Sequence, residues 1–172
     1  TTNAQSMYGR SSEHEHVTAV VDQKNVSSSR VSATLLHMVE EEKLAHDVYQ
    51  AMYDKWGVRI FSNIASSESK HQDELLSVLT LVGIDDPRTE TVGKFTDPAL
   101  QDLYDKLIAQ GMQSKVEAYK VGVAIEELDI DDLEAAITQL DTTDISLQAA
   151  YTNLLNGSKR HLQAFNKQLA QN

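Results

Sequence analysis

The sequence predicts an all-α fold, in which four long helices form a four-helix bundle and a long crossover carries a short fifth helix. Three observations predict it. From Ala33 onward, apolar residues recur in steps of three and four, which is the period of an amphipathic helix. Almost nothing in that part of the chain alternates as a strand does. Both prolines lie in one segment, residues 85–98, which leaves two pairs of long helices joined by a single crossover, as in four-helix bundles.

The chain has the length and composition of one domain with a proper core, at 172 residues and 41% hydrophobic. Its net charge of −11, without a cluster of basic residues, argues against binding to nucleic acid or to anionic lipid. The absence of cysteine excludes disulfides and thiolate metal sites. No apolar run approaches the roughly 20 residues of a transmembrane helix, so we expect no membrane span.

Residues 1–33 differ from the rest and predict an extended N-terminal arm ahead of the bundle, which takes residues 34–172. Ser, Thr, Asn and Gln are frequent in the arm, and two pieces, HVTAVVD and NVSSSRVSA, favour a short strand. Two interpretations stay open. The arm packs on its own domain, or its strand adds to a neighbouring subunit as a donor strand and builds a homo-oligomer or a filament.

The chain begins at Thr1 rather than at methionine, which suits a processed, exported protein and suits a trimmed chain equally. Without cysteine, thiol usage says nothing about the compartment. We expect an exported protein, located outside the cell, at its surface or in the periplasm, and leave a cytoplasmic location open.

The first half of the chain predicts two helices that end at glycines. The first covers about residues 32–55 and stops at Gly57, and the second covers about residues 61–82 and stops at Gly83. Glycine readily adopts the left-handed conformation that terminates helices. Three polar residues interrupt the two apolar stripes, and these are Glu42, Glu68 and His71.

The second half predicts a short helix and two long ones. Pro98 opens the short helix, residues 99–110, because proline is favoured at a first helical position. A long helix follows at about residues 114–140, and after a DTTD turn the last helix covers about residues 145–169, with Asp144 as its cap. Three polar residues again interrupt the stripes, and these are Glu126, Ser158 and His161.

These interruptions fall at one level of the bundle when hairpin geometry is applied. At a rise of about 1.5 Å per residue, Glu42 lies as far before the first turn as Glu68 and His71 lie after it. Glu126 precedes the second turn by an interval similar to the one at which His161 follows it. Burying several carboxylates together is very costly unless cations neutralise them. The pattern therefore predicts a pair of metal ions.

Four-helix bundles that hold two metal ions take a single Glu from each of two helices and Glu-x-x-His from the other two, because residues i and i+3 share a helix face. Glu42 and Glu126 are the single glutamates here. The segment ESKH supplies Glu68 and His71. The fourth helix departs from the pattern, since its SKRH segment keeps only His161 and has serine where glutamate is expected.

The carboxylate that Ser158 does not supply can come from Asp129, one turn after Glu126. The alternative is that Asp129 caps a new helical segment near residues 129–131. Glu126 is preferred over Glu127 because it keeps the seven-residue spacing of the apolar stripe. The predicted metal ligands are Glu42, Glu68, His71, Glu126, Asp129 and His161.

Five sequence blocks occur in order between Leu35 and Phe165, and they are EEEKLAHDVY, NIASSESKHQDEL, GIDDP, VGVAIEELDIDDL and LLNGSKRHLQAF. At these blocks the sequence resembles the ferritin-like superfamily, of the rubrerythrin-like kind, and more closely a family of uncharacterised ferritin-like proteins of bacteria and archaea. The resemblance implies a ferritin-like four-helix bundle able to hold a di-iron or related dinuclear centre. Rubrerythrin-like sites also carry an additional carboxylate on the third helix, which matches Asp129. His46 stands where the resemblance leads us to expect arginine.

The donor set predicts two iron ions, with manganese or zinc as alternatives, because ligand type alone does not select the metal. With iron, we expect ferroxidase- or peroxidase-type oxidoreductase chemistry toward O2 or peroxide. Tyr49 and Tyr119, on inward stripes, are either core residues or electron donors to the iron. The competing hypothesis is an exported structural subunit that self-assembles through residues 1–33 and has a structural or vestigial metal site. His37 is predicted to lie on the surface.

Overall fold

The computed structural model describes the backbone of residues 13–172 and the side chains from residue 29 onward. The described residues form five helices and no strands, so the predicted all-α class is confirmed. The helices are α1 (Glu13–Trp56), α2 (Arg59–Val82), α3 (Pro98–Gly111), α4 (Lys115–Thr138) and α5 (Ile145–Ala170). Of these described helices, none combines the length and the apolar character that crossing a membrane requires.

The first helix is longer than the sequence predicts, because α1 begins at Glu13. Residues 13–33, which their composition predicts as an extended, strand-forming arm, are helical instead. No glycine or proline occurs between Arg10 and Trp56, so nothing stops the helix from extending toward the N-terminus, where each added residue gains a backbone hydrogen bond. Serine and β-branched residues are only mildly unfavourable in a helix. The predicted strand has no counterpart in the described residues, and the part of the arm before residue 13 lies outside them.

Glycines end the first two long helices, as predicted. Gly57 and Gly83 have φ angles of 67° and 70°, in the left-handed region that favours glycine. The N–H of Gly57 donates to the carbonyl of Tyr53 at 2.7 Å, and the N–H of Ile84 donates to the carbonyl of Leu79 at 3.0 Å. These bonds satisfy carbonyl groups that the helix ends would otherwise leave open.

The starts of α3 and α4 are capped by the side chains of Asp97 and Ser114, which accept backbone N–H bonds of 2.8 and 3.1 Å. Asp144, predicted as the cap of the last helix, makes no side-chain bond to α5. Its Oδ2 accepts the N–H of Asp141 at 2.9 Å and closes the preceding turn instead.

Helix α4 is continuous, so the alternative of a new helical segment near residues 129–131 is wrong. Asp129 therefore stands inside a helix and does not cap a new one. The helix continues because Leu133 and Ala136 extend the buried face that Glu126 and Asp129 belong to. Tertiary burial overrides the local tendency of aspartate to start helices.

The long helices pack in two pairs, with α1 on α2 and α4 on α5, and α1 also contacts α4 while α2 contacts α5. Helix α3 packs against α1 and α4. The buried apolar residues form two clusters, one around Tyr49, Phe61 and Phe165 and the other around Leu75 and Tyr151. On each long helix, buried polar residues lie between the members of the two clusters. We call six of these residues the polar belt, and its members are Glu42, Glu68, His71, Glu126, Asp129 and Ser158.

Three charged residues of α1 hold the crossover. Glu40 accepts the N–H groups of Thr96 and Asp97 at 2.6 and 3.2 Å. Lys43 donates to Asp47 Oδ2 at 2.7 Å and to a crossover carbonyl at 3.0 Å. Because buried charges are tolerated only when they are paired, these contacts explain how Glu40 and Lys43 can stand on the inner side of a helix. They also fix the orientation of α1.

Candidate metal centre

All six predicted ligands lie in the polar belt or at its edge. Glu42 comes from α1, Glu68 and His71 from α2, Glu126 and Asp129 from α4, and His161 from α5. Five of them are buried, and the side chain of His161 is 11% exposed. Glu127 is exposed, so Glu126 is the glutamate of this pair that α4 turns inward.

Five of the six residues form two groups of three that share Glu68. In the first group, His71 Nδ1 lies 2.7 Å from Glu68 Oε2 and 3.1 Å from Glu42 Oε2. In the second group, His161 Nδ1 lies 2.9 Å from Glu68 Oε1 and 3.5 Å from Glu126 Oε2. The two imidazole rings stack, with centroids 5.7 Å apart. The two oxygens of Glu68 therefore face different groups, as the oxygens of a bridging carboxylate do.

Several donor atoms of these groups have no hydrogen-bond partner among the described residues. They are buried, and they include Glu42 Oε1, Glu68 Oε1 and His161 Nδ1. The last two atoms are only 2.9 Å apart, yet their directions do not meet the requirements of a hydrogen bond. Leaving a buried polar atom unpaired costs about 1–3 kcal/mol. Glu68 Oε1 and His161 Nδ1 converge without bonding to each other, which fits a shared cation.

Asp129 is the predicted ligand that stands outside both groups. Its Oδ2 accepts a hydrogen bond from Ser158, whose Oγ also lies 3.1 Å from the carbonyl of Leu154. Burial, followed by the charges of Glu42 and Glu126, raises the pKa of Asp129 well above its usual value. Its Oδ1 is buried and has no partner in the described part of the chain. Ser158, which replaces the expected glutamate, thus holds Asp129, and the carboxylate of Asp129 can take the place of that glutamate.

Side chains behind two of the ligands fix their orientation. His161 Nε2 lies 3.1 Å from Ser67 Oγ, so that Nδ1 faces the carboxylates. Tyr49 Oη donates to Glu126 Oε1 at 2.6 Å. Metal-binding histidines and carboxylates commonly have such partners, which hold their geometry. Tyr49 therefore contacts the site, whereas nothing in the sequence pointed to Ser67.

Two other residues of interest lie away from the centre. Tyr119 stacks on Phe61 in the apolar cluster, with ring centroids 5.6 Å apart. His46, which stands in the place of an expected arginine, has its Nδ1 3.0 Å from Asp47 Oδ1. It is thus tied to the residues that hold the crossover.

Comparisons with known proteins assign the chain to a family. The family model described as "Uncharacterized protein domain (DUF2202)" matches residues 32–172. The chain belongs to the DUF2202 family. A relative, "Uncharacterized protein MJ0754" of Methanocaldococcus jannaschii, is 46% identical over 136 residues, which are 78% of this chain and 72% of that protein. The crystal structure of hypothetical protein MJ0754 from Methanococcus jannaschii DSM 2661 matches with a TM-score of 0.77 and 37% identity, covering 98% of this chain and 86% of the other.

In this DUF2202 chain the histidines compensate only part of the carboxylate charge. Burial lowers the pKa of His161, but Glu126 and Glu68 outweigh it and raise that pKa to about 9. Burial raises the pKa of Glu68, but His161 and His71 together outweigh it and lower the value to about 2. Burial and the charge of Glu68 raise the pKa of Glu126 to about 7 and that of Glu42 well above 4.5. Without metal, the centre therefore retains protons on several carboxyl groups.

Lysine and arginine do not compensate this charge in the described residues. Their ion pairs are formed elsewhere, by Lys43, Arg88, Lys120 and Lys159. Four carboxylates against two histidines leave an excess of negative charge when all are ionised. Only bound protons or metal cations can balance that excess in a buried layer.

Gly157 gives His71 the space it occupies, because a Cβ at this position would lie 2.6 Å from His71 Nε2. We expect Gly157→Ala to displace the imidazole and to weaken metal binding about 10-fold, although alanine is the better helix former. Isothermal titration with Zn²⁺ measures the change. The sequence signal was a glycine inside a helix, which usually has a packing reason.

The matched control for this variant is Asn156→Ala, one residue earlier on the exposed side of α5. It should leave the affinity unchanged. Equal affinities for the two variants would show that His71 does not hold metal in this position.

We expect Tyr49→Phe to weaken metal binding about 10-fold by removing the hydrogen bond to Glu126. That hydrogen bond lowers the pKa of Glu126, so removing the bond favours the protonated form of the carboxyl. The proton then competes with the metal for the carboxylate. The defect should therefore be larger at about pH 6 than at about pH 8. Zn²⁺ titrations at both pH values measure it, with Tyr119→Phe as the control, and a pH-independent defect would contradict this explanation.

Proposed function

We propose that this DUF2202 chain is a ferritin-like four-helix bundle that binds two divalent metal ions, with iron as the preferred metal and manganese or zinc as alternatives. One observation carries the proposal: the two oxygens of Glu68 face two separate histidines, at 2.7 and 2.9 Å, and each histidine has a further glutamate beside it. This is the donor arrangement that two cations bridged by one carboxylate require.

One ion would be held by Glu42, Glu68 and His71, and the other by Glu68, Glu126 and His161. Asp129 is the additional carboxylate, within reach of the acids and held by Ser158. Its Oδ1 is buried and has no hydrogen-bond partner in the described part of the chain, which supports this role.

Charge balance supports two divalent ions rather than one. The four carboxylates of the centre carry four negative charges when ionised, and two divalent cations supply four positive charges with both histidines neutral. The metal-free layer reaches balance only by retaining protons, as the raised pKa values of Glu42, Glu126 and Asp129 indicate. Metal binding should therefore release protons.

The four long helices and the resemblance of the five sequence blocks support the ferritin-like architecture. The two apolar clusters lie on either side of the polar belt and limit the access of water to it. Tyr49 holds Glu126 in place, and its pKa is raised far above its usual value by burial and by the charge of Glu126, so that the phenol stays protonated. Bound iron would supply ferroxidase- or peroxidase-type chemistry toward O2 or hydrogen peroxide.

The experiment that tests this function begins with elemental analysis of protein purified without chelators. Metal-free protein is then loaded with Fe²⁺ without oxygen, and the consumption of O2 and of hydrogen peroxide is measured. We expect at least two iron ions per chain and consumption that Glu126→Gln abolishes and the exposed neighbour Glu127→Gln preserves. Fewer than two ions, or consumption no faster than that of free Fe²⁺, would contradict the proposal.

One observation favours a second function, in which the metal braces a structural subunit. Ser158 stands where the second Glu-x-x-His needs its glutamate, which leaves fewer ligands for a reactive pair. This hypothesis predicts bound metal without consumption of O2 or peroxide. Self-association through residues 1–33 remains part of this second hypothesis, and gel filtration of the full chain at several concentrations tests it.

A further inference from the structure

A separate group of acidic and imidazole side chains lies between α1 and α4. His37 and Glu41 are one turn apart on α1, and Asp132 faces them from α4. His37 Nε2 lies 3.5 Å from Glu41 Oε2 and 3.5 Å from Asp132 Oδ2. The other ring nitrogen, Nδ1, lies 3.6 Å from Asp97 Oδ2. The sequence predicted His37 only as a surface residue.

Glu41 is the member of this group that needs an explanation. It is 2% exposed, and both of its carboxylate oxygens are buried without a hydrogen-bond partner among the described residues. Burial of an unpaired carboxylate is costly, so native proteins normally pair it with a cation or a donor. Glu41 Oε2 and Asp132 Oδ2 both lie 3.5 Å from His37 Nε2, so a second acid stands beside Glu41.

The spacing of the donor atoms fits a metal ion better than direct hydrogen bonds. A histidine that bonds to a carboxylate does so at about 2.7–3.2 Å, and the two contacts of His37 Nε2 are longer. A cation about 2.0–2.2 Å from each donor separates the donors by about this amount. One ligand atom from each of His37, Glu41 and Asp132 lies within 4.8 Å of the others.

Access to solvent distinguishes this group from the polar belt. The side chains of His37 and Asp132 are 37% and 38% exposed, whereas Glu41 closes the inner side. An ion held there would keep open positions toward water.

We propose that His37, Glu41 and Asp132 form a third metal site, which binds a divalent transition-metal ion through one imidazole and two carboxylates. Asp97 Oδ2 lies 3.6 Å from the ring nitrogen that faces away from the ion. The site does not depend on the function proposed for the dinuclear centre, because it shares no ligand with that centre.

Zn²⁺ binding to the full-length, metal-free chain tests the site, by equilibrium dialysis and elemental analysis. The wild type should bind a third equivalent that Asp132→Asn and His37→Gln weaken at least 10-fold. The matched control is Asp131→Asn, an exposed neighbour on the same helix. A shift of the His37 ring signals in the NMR spectrum, saturating with the third equivalent, identifies the ligand directly.

The same titration in Glu68→Gln separates this proposal from the dinuclear centre. We expect Glu68→Gln to keep one equivalent of Zn²⁺ and the double variant Glu68→Gln, Asp132→Asn to lose it. This result supports the third site even if the centre binds nothing. Unchanged Zn²⁺ binding in both Asp132→Asn and His37→Gln overturns it. His37 ring signals that do not shift at three equivalents of Zn²⁺ also overturn the proposal. In that case Glu41 shares a proton with Asp132 and no cation is bound.

Discussion

Glu68→Gln is expected to reduce bound Zn²⁺ or Fe²⁺ at the centre from two ions per chain to one or none, with affinity at least about 100-fold lower. Glu68 is the residue whose oxygens face both His71 and His161. The amide keeps the size of the side chain but offers only one oxygen and no charge. Substitution of a residue that binds only one ion would remove that ion alone. Loss of the shared carboxylate should weaken the binding of both ions.

The control for this variant is Glu42→Gln, which belongs to one group only. It should lower the affinity of one ion and leave the second close to wild type. Equal, small effects of both variants would contradict a shared carboxylate. Circular dichroism should show the same helix content in each variant, because glutamine fits the space of glutamate.

The second large effect is a dependence of thermal stability on pH that metal reverses. In the metal-free protein, Glu126 has a pKa of about 7 instead of 4.5, and His161 has a pKa of about 9 instead of 6.5. Both values are raised on folding, so the folded state binds more protons than the unfolded state, and their contribution to stability is lost as pH rises through 7 and then 9. The lowered pKa of Glu68 acts only below pH 4.5. We expect the Tm of the metal-free protein to fall by about 5 °C between about pH 5.5 and pH 8.5.

Bound metal should raise the Tm, and it should do so more at high pH, because the metal must displace these protons. Two ions at about 100 times their dissociation constants add roughly 5 kcal/mol to the free energy of unfolding, which corresponds to about 10–20 °C in Tm. The increase should be larger at about pH 8.5 than at about pH 5.5. Differential scanning calorimetry with and without Zn²⁺ measures both effects. A metal-free Tm that rises with pH over this interval would contradict the charge assignment.

The helices could be predicted from the sequence because their signals are local. Period-three and period-four apolar residues, the glycines at 57 and 83, and Pro98 mark elements that the structure also has. The helical start of α1 could not be predicted, since the serine-rich composition of residues 13–33 resembles an arm. Its continuation depends on the absence of a helix breaker and on the buried part of the same helix.

The level of the polar belt could be predicted because buried acids interrupt regular stripes and hairpin geometry relates their positions. The roles of Glu41 and Ser67 could not, because a run such as EEEK does not show which member faces which neighbour. In the structure, Glu40 holds the crossover, Glu41 faces His37 and Glu42 faces the centre. A rotation of about 100° per residue sends successive side chains to different surroundings, and only the packing of the other helices decides what those are.

The central claim is that two cations share Glu68 within the polar belt. Crystals of the protein loaded with Zn²⁺ test it most directly, through anomalous difference maps recorded at the zinc absorption edge. Within the polar belt we predict two peaks about 3.5–4 Å apart, one beside His71 and one beside His161, with an oxygen of Glu68 bound to each. A map without peaks at these histidines, with the carboxyl groups hydrogen-bonded to one another instead, would contradict the claim.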